Sequence, residues 1–248
     1  MATATFRFYG ELNDFLAPRR RGREFIAPCA QAATVKHMIE ALGVPHTEVD
    51  LILANGESVG FERLLGDGDR VAVYPRFGTL DIAPLLRVRA RPLHAAGFVA
   101  DAHLGGLARL LRMAGFDTLY RNDFADREIA ALAIDGSRIL LTRDRELLKL
   151  RGITHGCFVH ALKPAQQFRE IVARLGLAQR VRPFTRCLEC NGPLREITKA
   201  AVLDRLPPAV RAGQERFTTC DRCHRIYWQG SHWRRMQTLL DGVLDNHR

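Results

Sequence analysis

Two C-x-x-C pairs constrain this chain more than any other feature. Cys187-Leu188-Glu189-Cys190 and Cys220-Asp221-Arg222-Cys223 each put two thiols on one tight turn, with 29 residues between the pairs. Such a turn holds its sulfurs about one zinc ion apart, and two turns complete a tetrahedron. A redox C-x-x-C needs one pair beside a thioredoxin-type pattern, and that pattern is absent. The reading is one structural Zn²⁺ held by Cys187, Cys190, Cys220 and Cys223. Four thiolates leave no position for water, so this metal is expected to shape the chain and not to catalyse. Cys29 and Cys157 stand alone among apolar neighbours and read as small buried hydrophobes.

With 248 residues there is room for two or three domains. Near the start, Phe6 and Phe8 alternate with Thr5 and Arg7 as in a half-buried strand. A basic turn, Pro18 to Arg23, leads to a second strand around Glu24–Ala27. Thr34 can cap a helix whose apolar face is Val35, Met38, Ile39 and Leu42. Strands follow at 50–53 and 70–74, separated by glycine turns. This order resembles the β-grasp, ubiquitin-like fold of small sulfur-carrier proteins. Carrier chemistry needs a free Gly-Gly end, and here the chain continues through Pro75-Arg76-Phe77-Gly78-Thr79. A partner-recruiting or RNA-contacting module is the functional expectation for this part, with a solvated scaffold as the alternative.

Beyond a Pro- and Arg-containing connector the rhythm changes to alternating strands and helices, an α/β domain with a mostly parallel sheet. Ligands of such sheets gather at the carboxyl ends of the strands. Asp101 directly follows the first strand and Asp144 the third, while Asp126 opens the helix after the second. Three converging carboxylates call for a cation, and Mg²⁺ or Mn²⁺ suits carboxylate and water ligands. Such a site serves phosphodiester hydrolysis. Equally, Asp126 and Asp144 are placed to cap the helices they precede. Arg109, Arg112, Arg143 and Arg145 flank the acids, either as ion-pair partners or as phosphate ligands. Gly105-Gly106 would let a phosphate approach the helix start.

The stretch from Phe98 to Asp117, FVADAHLGGLARLLRMAGFD, followed by Ile139-Leu140-Leu141-Thr142-Arg143-Asp144-Arg145, resembles the Mut-seven C-terminal RNase family. The resemblance spans essentially the whole chain. It implies a PIN-like mostly parallel α/β nuclease domain with an N-terminal β-grasp (ubiquitin-like) domain and a C-terminal zinc ribbon. The implied boundaries are 1–80 for the ubiquitin-like domain, 81–95 for a linker, 96–180 for the PIN-like domain and 181–248 for the ribbon and tail. The PIN-type acids fall on Asp101, Asp126 and Asp144. In the family a glycine follows the second cysteine pair; here it is His224, which a positive φ would strain. Trp233 is expected to stack on bases and Trp228 to pack the ribbon.

Net charge sharpens the partner. Residues 1–93 hold 12 Lys+Arg against 11 Asp+Glu, so nearly all of the +10 lies beyond them and attracts polyanions such as RNA. No apolar run is long enough to span a membrane. The opening residues lack a basic segment followed by an apolar stretch, so a cytoplasmic protein is expected. The leading expectation is a metal-dependent ribonuclease, endo- or exonucleolytic; the alternative is a non-catalytic RNA-binding or protein-interaction adaptor module, with a protein partner on the ubiquitin-like domain.

Overall fold

The alternation at the N-terminus becomes strand β1, Ala2–Phe8, with Phe6 and Phe8 fully buried and Arg7 in solvent. The computed structural model describes residues 2–77, 83–88 and 97–244. Strand β2, Phe25–Cys29, runs antiparallel to β1. Helix α1, Val35–Ala41, begins where Thr34 accepts the His37 amide on its hydroxyl at 3.2 Å, and it buries Val35, Met38 and Ile39. Strands β3 (Val49–Ala54), β4 (Glu57–Ser58) and β5 (Arg70–Pro75) complete a five-stranded sheet of order β2-β1-β5-β3-β4, in which β5 lies parallel to β1. Phe6, Phe8, Leu12, Phe15, Val35, Ile39, Ile52 and Val73 form one apolar core. The order strand, strand, helix, strands is that of the ubiquitin-like fold.

The basic turn serves this domain in part: Arg21 Nε donates to the Leu16 carbonyl at 3.0 Å, and Arg20 lies over the Phe25 ring. Of the linker expected at 81–95, residues 83–88 are described and begin with a 3₁₀ turn, Ala83–Leu85; the remainder lies outside the described residues.

The second half alternates as the pattern requires. Strand β6 (Phe98–Ala100) precedes helix α2 (Gly105–Met113), and strand β7 (Thr118–Leu119) pairs parallel with β6. Helix α3 (Asp126–Asp135) precedes strand β8 (Ile139–Thr142), which pairs parallel with β9 (Gly156–Phe158). The short helix expected at 145–150 is a 3₁₀ turn, Leu147–Lys149. Helix α4 (Pro164–Arg174) buries Phe168, Ile171 and Val172 and packs on α2. The cysteine region supplies an antiparallel sheet of β10 (Leu194–Ile197), β11 (Phe217–Cys220) and β12 (Ile226–Trp228). Helix α5 (Pro208–Gly213) lies in the excursion between the pairs, and α6 (Ser231–Leu244) follows the ribbon. Trp228 packs against Val202, Leu206 and Phe217. No helix among the described residues is long and apolar enough to cross a membrane.

Packing divides the chain into two compact units. The first joins residues 1–96 to 125–158, and the second joins 97–124 to 159–248. The ubiquitin-like sheet thus shares its unit with α3, β8 and β9.

Candidate functional site

The two cysteine pairs fold as near-copies of one knuckle. In the first, Asn191 N donates to the Cys187 carbonyl at 3.0 Å and Cys187 N to the Gly192 carbonyl at 2.8 Å. In the second, His224 N donates to Cys220 O at 2.9 Å and Cys220 N to Arg225 O at 3.0 Å. The turn is closed each time by a residue in the left-handed region, Asn191 at φ 65° and His224 at φ 55°. Asparagine tolerates that conformation readily and histidine is several-fold enriched there, so His224 carries the strain its sequence position implied. All four sulfurs lie within 4.8 Å of one another, with Cys187–Cys223 at 3.6 Å and Cys190–Cys220 at 3.3 Å. Zn–S bonds of about 2.3 Å put tetrahedral sulfurs roughly 3.8 Å apart, so the cluster fits zinc. Gly192 is required here, because a Cβ would come within 2.9 Å of the Cys220 sulfur.

Thiol chemistry in the cluster is uneven. Burial opposes ionisation of Cys187, yet the amides of Cys190 and Glu189 and the Tyr227 hydroxyl, 3.0 Å from its sulfur, bring it down to about 7. Burial pushes Cys190 up to about 12.

The first knuckle is tied to the α/β part of the same unit. Arg112 is 4% exposed; its Nε donates to Thr118 O at 2.9 Å and its Nη1 to Leu188 O at 3.1 Å and Glu189 O at 2.7 Å. That corrects the phosphate role expected of Arg112, since its buried guanidinium is spent on three carbonyls. Asn191 adds two bonds, accepting Thr118 N at 3.0 Å and donating to Asp117 at 2.8 Å. Asn191 and Tyr227 support the cluster without being marked in the sequence reading; for Asn191 the Asn191-Gly192 turn dipeptide is the available signal.

The acids sit at the ends of their elements. Asp101 follows β6 and caps the next 3₁₀ turn by accepting Ala102 N. Asp126 is the first residue of α3, behind Ala125 as N-cap, and its exposed carboxylate makes no bond among the described residues. Asp144 accepts the amides of Glu146 at 2.8 Å and Leu147 at 3.5 Å on Oδ1, and its own N–H donates to Thr142 Oγ1 at 2.9 Å. Asp144 therefore does cap the turn it precedes, through one oxygen only. Asp101 belongs to the second unit and Asp126 and Asp144 to the first.

Around the acids the remaining groups divide. Arg109 is exposed and pairs with Glu189 at 3.0 Å. Arg143 is half-buried. Arg145 is exposed, lies over the Phe15 and Phe158 rings and donates to the carbonyls of Phe15 and Asp14. At Gly105 and Gly106 a Cβ would meet the Tyr120 hydroxyl at 2.5 Å and Pro164 Cγ at 2.5 Å respectively. Their smallness lets Tyr120 and Pro164 close on α2.

Trp233 stands in the first turn of α6, tilted against Phe184 with centroids 5.0 Å apart. Both rings line a groove of about 990 Å³ in the second unit, with Tyr227, Arg109, Arg216 and Arg225 among its other walls.

Comparison with known proteins follows the same division of the chain. No curated protein sequence matches it. The crystal structure of H. volcanii small archaeal modifier protein 1 is similar to part of it, at 19% identity, over 30% of this chain and 98% of that one, with a TM-score of 0.25. A family model described as Mut7-C ubiquitin matches residues 1–81, and one described as Mut7-C RNAse domain matches residues 96–240. With more than half its length matched by the latter, the chain belongs to the Mut7-C RNAse domain family and carries that family's ubiquitin domain ahead of it.

Proposed function

We propose that the chain is a metal-dependent ribonuclease acting at Asp101, Asp126 and Asp144, with a separate structural zinc on its four cysteines. The observation that carries the reading is the match of residues 96–240 to the RNAse domain, which supports a nuclease-like role and an RNA substrate. The acids suit it chemically: they are oxygen donors at element ends, and Asp126 and the Oδ2 of Asp144 make no bond among the described residues. The family resemblance assigns Asp101, Asp126 and Asp144 as the ligands of a hard divalent cation such as Mg²⁺ or Mn²⁺, which would supply positive charge to the scissile phosphate. In the hydrolysis itself a water oxygen bonds to phosphorus and the P–O bond to the leaving ribose breaks; carboxylates would orient the water and accept its proton, and the departing ribose oxygen takes a proton from solvent.

Arg109 and Arg143 hold flanking phosphates, and Trp233 stacks on a base where it lines the groove. Arg112 and Arg145 are left out because backbone carbonyls engage them. Beside this role, the ubiquitin-like domain is read as a protein-interaction module, and the protein as cytoplasmic.

The test is cleavage of labelled RNA with Mn²⁺ by wild type, Asp101→Asn and Asp144→Asn. Expected is a fall on the order of 10²–10³-fold in both variants with RNA binding retained, as for removal of one preorganised electrostatic group. Equal cleavage by all three preparations overturns the proposal and leaves a non-catalytic RNA-binding module.

A further inference from the structure

Asp144 stands on an irregular turn, and that turn is gripped by the ubiquitin-like domain. The segment from Thr142 to Phe158 lies in the same compact unit as residues 1–96. At its start, Arg145 lies 5.0 Å over Phe15 and 5.7 Å over Phe158, with Nη1 donating to Phe15 O at 3.3 Å and Nη2 to Asp14 O at 3.4 Å. Phe15 meets Phe158 edge-on at 5.3 Å. Both rings belong to the ubiquitin-like core or pack against it. At the far end, Phe158 N donates to the Glu48 carboxylate, and Thr47 Oγ1 donates to Leu148 O at 3.4 Å. His46 Nε2 meets Ile153 O at 2.8 Å while its Nδ1 meets Glu40 at 2.7 Å.

Two 3₁₀ turns of the N-terminal domain, Gly10–Phe15 and His46–Glu48, thus hold one turn of the RNAse domain from both ends. The residue joined to the first of them is the immediate neighbour of Asp144. A carboxylate on an exposed turn has many orientations to lose, and chemistry at a phosphate tolerates displacements well below 1 Å. The planar guanidinium of Arg145, fixed by a ring face and two carbonyls, removes that freedom from the backbone at 144–145.

We propose that the ubiquitin-like domain is a built-in clamp for Asp144 and that Arg145 is the positioning residue through which it acts. This rests on Asp144 serving the ribonuclease reaction proposed above. The tether itself is independent of that reading, and the experiment separates them. In the full-length chain, Arg145→Ala, Arg145→Lys and Phe15→Leu are compared with wild type by hydrogen exchange of residues 144–150 and by kcat and KM for RNA with Mn²⁺.

Arg145→Ala is expected to speed exchange across 144–150 about tenfold or more, with β1 and β5 unchanged. It is also expected to lower kcat about 10- to 100-fold at constant KM. Arg145→Lys keeps a charge over the ring but loses the fork, and recovers part of both effects. Phe15→Leu reproduces the loosening without touching any charge. A raised KM with unchanged kcat and unchanged exchange makes Arg145 a phosphate ligand and overturns the clamp. If wild type does not cleave RNA, the ribonuclease reading fails by itself; exchange then decides alone, and unaltered exchange in Arg145→Ala overturns the clamp.

Discussion

Four cysteines form one metal-ready cluster, whereas the three aspartates proposed as catalytic stand singly at the ends of separate elements. Each cysteine knuckle fixes two sulfurs within six residues, by two backbone hydrogen bonds and one left-handed residue. The aspartates come from the ends of three elements, one in the second unit and two in the first. A local site carries its own geometry and needs only its metal. An acid at an element end takes its position from whatever packs beneath that element, as the ubiquitin-like domain leans on the Asp144 turn.

Breaking the cysteine side has the largest expected effect. Cys220→Ser is expected to abolish zinc binding and the fold of β10–β12, because structural zinc contributes roughly 10–16 kcal/mol in finger-type sites. Metal content and exchange protection of residues 187–228 check it, with protection in β1 and β5 retained. A protected ribbon without metal would show that the knuckles stand by packing alone.

Next is the weld between knuckle and α/β part. Arg112→Leu is expected to cost about 3–5 kcal/mol, since it strands the carbonyls of Thr118, Leu188 and Glu189. Both tryptophans, Trp228 and Trp233, lie in the second unit, so urea unfolding followed by their fluorescence reports on that unit. A loss under 1 kcal/mol would mean the ribbon is merely appended.

The smallest effect falls in the ubiquitin-like domain, outside both sets of residues. Asp69 is held below the usual carboxylate range by the Gly66 amide, the Asn55 side chain and Arg63. A depressed folded value means its stabilisation is present above about pH 4 and lost as pH falls through that value. Asp69→Asn is therefore expected to cost about 1–2 kcal/mol at pH 7 and much less near pH 3, read from urea midpoints followed by far-UV circular dichroism. An equal deficit at both pH values would remove the electrostatic explanation.

What the sequence disclosed follows the same local-versus-distributed line. The knuckles, the Thr34 cap and the inward Phe6 and Phe8 depend on neighbours within a few residues, and all are found where the pattern put them. The carbonyls that Arg112 and Arg145 meet are not legible in the sequence for the converse reason. A guanidinium beside an acid suits a phosphate as well as a carbonyl, and the carbonyls it meets lie 76 and 77 residues away for the knuckle and 130 and 131 away for the Asp144 turn. Gly105-Gly106 reads locally as a phosphate approach, whereas the close contacts that require glycine there, Tyr120 and Pro164, come from later in the chain.

The first unit also sets a timetable for synthesis on the ribosome. Residues 1–96 emerge with their own sheet and core, but Phe15, His46 and Glu48 meet their partners only once residue 158 is out. At about 5–20 residues per second that is a wait of roughly 3–12 s. Throughout it, the nascent chain shows an apolar and polar face that the finished protein covers, and residues 97–124 must be set aside for a unit not yet made. A chaperone that reads exposed aromatic surface has its opening in that interval.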